Sequence, residues 1–227
     1  MATHYHIDLE NFSLDRFRHI LETSELLPGR KVLKENIADR FGVLASRDIR
    51  NLKELIDALS TRNKIERFSR ESGLPEDYLM ILRREANSYV PKPVNLKEFP
   101  GVNHESLEKL STAGITNTKH LFEKTTTRND RENLSRLVNV SPDDLLELAK
   151  LSDLVRVAGV GPVFARIILD AGIDTLEMFS NSSPEESFEK VVAVNKEKQY
   201  TKIMATLKDV TLCINMAKDL PKVIEYE

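Results

Sequence analysis

Residues 154–173 read LVRVAGVGPVFARIILDAGI, and the reading of this stretch decides the fold. An apolar run reaches Ala158, Gly159-Val160-Gly161 follows, and Pro162 opens a second apolar run that stops at Gly172. Glycine reaches backbone dihedrals that a Cβ forbids, so Gly-x-Gly reverses a chain tightly. Proline suits the first turn of a helix and glycine the position just past its end. Two helices joined by a short turn are expected, with Val160 plugging the gap between them and Ala165 permitting their close approach.

The same pattern recurs along the chain. Residues 96–115, LKEFPGVNHESLEKLSTAGI, match 154–173 at 6 of 20 positions without a gap, including Gly101 with Gly159 and Gly114 with Gly172. A second overlap lays 61–82 over 127–148, with 9 of 22 positions identical, among them Thr-Arg-Asn and Ser-Arg. A first copy is then sought upstream, where Leu27-Pro28-Gly29 resembles Phe99-Pro100-Gly101 and Phe41-Gly42-Val43 resembles Ala113-Gly114-Ile115. The two glycines of each copy stand 13 residues apart. Repetition at such a period is the mark of stacked supersecondary units. The expected division is an arm at 1–25 with a short helix from Ser13, units at 26–90, 96–153 and 154–227, and a linker at 91–95. Pro91 and Pro93 break any helix in that linker, whereas 148–155 contains no breaker, so one helix is expected to join the last two units. Ser141-Pro142 and Ser183-Pro184 read as helix starts, and Asp174 with Glu177 reads as a capping box.

Composition agrees with an all-α chain in an elongated or two-lobed array. Of 227 residues, 41% are hydrophobic, 6% aromatic and none tryptophan, with 8 glycines and 9 prolines, too few turn formers for an all-β protein of this length. Formal net charge is −3, which argues against a general polyanion-coating protein. Residues 1–95 hold 16 Lys/Arg against 15 Asp/Glu and the remainder 17 against 21, so the front part is the better place for an anion contact. Cys213, the one cysteine, lies in an apolar stretch and reads as a core residue. No apolar run is long enough for a bilayer and no secretory pattern opens the chain, so a cytoplasmic location is expected.

The stretch 154–173 resembles the helix-hairpin-helix motif, on the strength of Ala158-Gly159-Val160-Gly161-Pro162, Ala165 and Gly172-Ile173. The whole resembles a family of tandem helix-hairpin-helix domains of unknown function, itself similar to the C-terminal domain of the RNA polymerase alpha subunit. That resemblance implies a fold and a recognition role, and no reaction. Where the motif binds DNA, hairpin amides at a helix N-terminus meet a backbone phosphate, because unpaired N–H groups and the positive helix end attract an anion. By resemblance the contact would fall to Gly159, Val160 and Gly161, assisted by Arg166, unless Arg166 simply pairs with Asp170. In the second copy Asn103 replaces the second glycine and Glu105 opposes phosphate, so that copy reads as structural. The first carries Gly29, Arg30, Lys31 and Lys34, the best electrostatic case for a polyanion, or an ordinary solvated basic turn.

Nothing invites an enzyme assignment. There is no phosphate-cradling Gly-x-x-x-x-Gly-Lys run, dinucleotide fingerprint, nucleophile elbow or H-E-x-x-H. His4 and His6 would bind a metal only weakly, without an evident third ligand. No cofactor, metal or small-molecule substrate is expected. Two readings stand: a module binding DNA or RNA backbone with little sequence preference, and a protein-interaction scaffold in which the hairpins are purely structural.

Overall fold

A computed structural model describes residues 5–26 and 28–226, which are all-helical apart from two isolated bridges. Leu27 and His4 lie outside the described residues. The chain divides into two compact units, Ile7–Val90 and Pro91–Glu227 with Met1–His6.

The Ile7–Val90 unit contains α1 (Leu14–Thr23), a 3-10 stretch (Pro28–Lys34), α2 (Ile37–Ala45), α3 (Leu52–Ala58), α4 (Arg62–Ser72) and α5 (Glu76–Asn87). Ser13, Asn51 and Thr61 cap α1, α3 and α4 by accepting a first-turn amide on the side-chain oxygen, the role short hydroxyl and amide side chains fill best. Ser13 and Asn51 also pair through Leu14 N–H to Arg50 O (2.8 Å) and Leu52 N–H to Phe12 O (2.9 Å). The unit does not begin at residue 26 as expected. Phe17 of α1 is wholly buried, edge-on to Tyr89 and beside Phe41, so α1 is core and not arm.

The other unit contains a 3-10 turn (Leu96–Glu98), α6 (His104–Thr112), α7 (Thr118–Phe122), α8 (Arg128–Val138), α9 (Pro142–Leu154), α10 (Pro162–Asp170), α11 (Leu176–Asn181), α12 (Pro184–Lys198) and α13 (Leu207–Ala217). Helix α9 is buried on several faces, through Leu145, Leu148, Leu151, Ser152 and Leu154, and α7, α8, α10 and α11 pack on it. Because α9 runs to Leu154 without a break, residues 96–153 and 154–217 share one core. Ser141-Pro142 and Ser183-Pro184 start α9 and α12 as read from the sequence. The cap of α11 is Thr175, which accepts from Met178 N–H (3.0 Å); Asp174 instead pairs with Lys150 (2.7 Å).

One helix ending recurs before three isoleucines. Asp48, Gly114 and Gly172 each follow a helix in the left-handed region, with φ of 61°, 78° and 75°. The isoleucine after each, Ile49, Ile115 or Ile173, donates its N–H back to Leu44, Leu110 or Ile168 at 3.2, 2.9 and 3.2 Å. This long return bond closes carbonyls that the helix end would leave open, and the isoleucine side chain enters the core. The next long helices end at Gly73, Asn139 and Gln199, again left-handed. Here the upstream glycine assignment fails. Gly42 lies inside α2 and Gly29 inside the 3-10 stretch, and neither has positive φ. The register that holds is that of the second overlap, which sets Asp48 against Gly114. Aspartate tolerates the left-handed region, so no glycine was needed there.

Gln199 carries a Cβ in a conformation that favours glycine. Gln199→Gly should raise stability by about 0.5–1 kcal/mol, and Gly172→Ala should lower it by about 1 kcal/mol, in urea unfolding followed by circular dichroism.

Candidate binding site

The turn between α9 and α10 is built as the sequence implied. Val160 N–H donates to Val157 O at 3.0 Å, which closes the reversal, and the Val160 side chain is buried. Gly159 takes φ +91°, and a Cβ there would lie 3.1 Å from the Cys213 sulfur of α13. The close approach of α13 thus adds a packing demand to that of the dihedral, since Cys213 would have to give way to a Cβ. Gly161 sits extended at the N-cap of α10, with no side chain to accept the first amides. Burial pushes the Cys213 thiol up to about 12, so it stays protonated and faces Ala158 O at 3.7 Å. A thiol so held is a packing group and not a nucleophile.

Beside this turn opens a groove of about 390 Å³. Its walls are mostly apolar: Val163 and Phe164 of α10, Val191 and Val192 of α12, and Ile203 and Met204 from the connection between α12 and α13. Ile203 is 83% exposed and Met204 41%, far more than the core packing of such residues allows. The connection holds its shape through Asn195, whose side chain donates to Thr201 O (3.0 Å) and accepts from Thr201 N–H (3.1 Å). Asp209 is the one carboxylate in the lining, and it is occupied by the hydroxyl and amide of Thr206 at 2.7 and 2.9 Å.

Arg166 does not reach the third turn as a phosphate partner. It is 6% exposed, donates through Nε to Pro100 O (2.8 Å), and pairs with Glu147 (2.5 Å) and Asp170 (3.3 Å). Burial alone would lower its pKa, but its bonds to Glu147 and then Asp170 hold it above the ordinary value. Its guanidinium lies against Gly101, so it ties the second turn to α9 and α10. At that second turn Asn103 accepts from Glu105 and Ser106 amides at 3.0 and 3.4 Å, which leaves those donors satisfied within the chain.

The basic cluster of the other unit is also largely committed. Arg30 pairs with Glu85, and Lys34 donates to Glu22 O at 2.9 Å, while Lys31 is exposed. Gly29, in the 3-10 stretch, makes no left-handed hairpin. Gly29, Arg30, Lys31 and Lys34 lie in one unit and Gly159, Val160, Gly161 and Arg166 in the other. His6 is half-buried with an unpartnered Nδ1, and burial together with the charges of Lys119 and Arg156 lowers its pKa. Among the described residues no group of three His, Cys, Asp or Glu could hold a metal.

A family model, Domain of unknown function (DUF4332), matches residues 100–220, more than half of the chain. The chain belongs to this family. No curated protein and no solved structure matches the chain. The DUF4332 match starts at the second turn and ends just past α13, so it takes in the third turn, the Arg166 contacts and the whole groove.

Two stability tests separate these roles. Gly159→Ala should cost about 2 kcal/mol or more, against about 1 kcal/mol for Gly114→Ala, which meets open space; combined with Cys213→Ala, part of the excess should return as a coupling of about 0.5 kcal/mol or more. Arg166→Met should lower stability by about 2–3 kcal/mol, because it strands Pro100 O and two carboxylates. Both are read from the denaturation midpoint.

Proposed function

We propose that the chain is a non-catalytic protein-interaction module of helix-hairpin-helix units, and that a partner's apolar segment docks in the groove beside the third turn. The observation that carries this reading is the groove itself, about 390 Å³ and walled by aliphatic and aromatic side chains, with Ile203 and Met204 left at its rim. Contiguous exposed apolar surface on a folded chain marks an interaction site, and methionine adapts to varied partners. Two of the cations expected to meet a phosphate backbone, Arg166 and Arg30, are instead paired with carboxylates of the chain, while Lys31 and Lys34 stay exposed. A cytoplasmic setting belongs to the same proposal; among the described residues no helix is long and apolar enough to cross a membrane.

A resemblance to the C-terminal domain of the RNA polymerase alpha subunit, carried by the turn pattern alone, favours recognition over catalysis in this reading. The nucleic-acid reading keeps one specific observation in its favour. Among the described residues no group accepts from the Gly159 or Gly161 N–H, and both glycines are exposed. An anion would find donors there.

Capture from nuclease-treated lysate should recover a partner with the wild-type chain, lose it with Ile203→Asp/Met204→Asp, and keep it with Lys31→Glu. In filter binding, neither duplex nor single-stranded DNA should be retained at low salt. Retention that falls steeply with salt, and falls further in Lys31→Glu, would hand the function to nucleic acid.

A further inference from the structure

The chain beyond α13 runs without helix to Tyr226 and contacts the fold at several points along its length. Pro221 O accepts from Arg156 Nη2 at 2.9 Å. Ile224 is buried with Tyr5 and Phe122. Glu225 N–H donates to Thr126 O at 2.8 Å, and the Tyr226 hydroxyl donates to Asp153. Lys222 and Glu225 point to solvent. Two contacts read backbone, and the others read the side chains of Val223, Ile224 and Tyr226. That is how a cleft reads an extended peptide, through main-chain bonds for affinity and pockets for alternate side chains.

The segment's arginine partner has further bonds within the fold. Arg156, 1% exposed, is also held by Tyr5 O at 3.0 Å, by Asp153, and by the Phe122 face with its centroid 4.5 Å away. The segment's polar partners are the Arg156 guanidinium, the Asp153 carboxylate and the Thr126 carbonyl. The segment also begins where the DUF4332 match ends, at residue 220. Burial and the neighbouring Asp153 push the Tyr226 phenol up, so it stays a donor.

We propose that residues 221–226 form a displaceable strap, an intramolecular ligand filling a cleft between α7, α9 and residue 5 that accepts an extended segment with an aliphatic residue two positions before a tyrosine. The strap opens as a local unit while α9 stays folded, and a peptide of its own sequence competes for the vacated cleft. It uses none of the groove's residues, so it stands or falls separately from the docking reading above.

The test uses the full chain and a fluorescein-labelled peptide of residues 221–226. Tyr226→Ala weakens the strap and should bind the peptide saturably. The wild type should bind at least about tenfold more weakly, because the tethered strap holds a high effective concentration at the cleft. An unlabelled peptide with alanine in place of tyrosine should fail to compete. In the wild type, native-state hydrogen exchange should release the Glu225 amide about a hundredfold faster than the α9 amides. The proposal is overturned if Tyr226→Ala keeps its helical circular dichroism yet does not bind. It is equally overturned if the Glu225 amide exchanges only with α9, a readout that needs no variant to fold.

Discussion

Short helices leave loop carbonyls without partners, and in the Pro91–Glu227 unit three buried arginines meet that need. Arg131 donates to Thr125 O (3.1 Å), Arg156 to Tyr5 O and Pro221 O, and Arg166 to Pro100 O. A guanidinium suits this work because it offers five N–H donors in a fixed plane and carries no acceptor of its own. Arg156 and Arg166 each keep a carboxylate beside them, since a buried cation alone would be far too costly. The loops between helices are thereby fixed from within, and the turns they carry are held rigid.

That commitment shapes function. A count of Lys and Arg along the chain treats each as available to a polyanion, but Arg166 is buried and its charge is offset by Glu147 and Asp170. The third turn keeps its exposed amides yet lacks a free guanidinium beside it, and what it does border is apolar. A carboxylate side chain at Asp209, already bonded to Thr206, adds nothing that would draw phosphate. The balance moves from the anion-binding use of such turns toward a use in which the turn anchors the wall of an apolar groove.

Much of this was legible in the sequence, because the signals were local. Pro162 after Gly161, Ser141-Pro142 and Ser183-Pro184 declare helix starts from adjacent residues, and Gly114 and Gly172 declare left-handed endings. The first such ending was missed because Asp48 adopts the same backbone without a glycine to announce it. Glycine spacing and the overlap of 61–82 with 127–148 implied different registers for that region, and the left-handed ending at Asp48 falls where the overlap, carried back, sets Gly114. The groove was illegible for a different reason. Gly159, Val191, Ile203 and Cys213 meet only after α12 and α13 fold back onto α10, and no spacing in the chain signals that.

Cys213 shows how the two kinds of information join. From sequence it is a core residue in an apolar run, which its 4% exposure matches. The structure adds that it sits 3.1 Å from where a Gly159 Cβ would stand, so the glycine serves two demands at once. One demand is the dihedral that turns the chain; the other is the approach of α13, which forms the far wall of the groove. A glycine kept for the dihedral alone would tolerate a bulkier neighbour, and one kept for packing alone would not need φ +91°. Turn and groove are therefore one construction, which is why a binding role is better sought where the turn meets α13 than at the turn by itself.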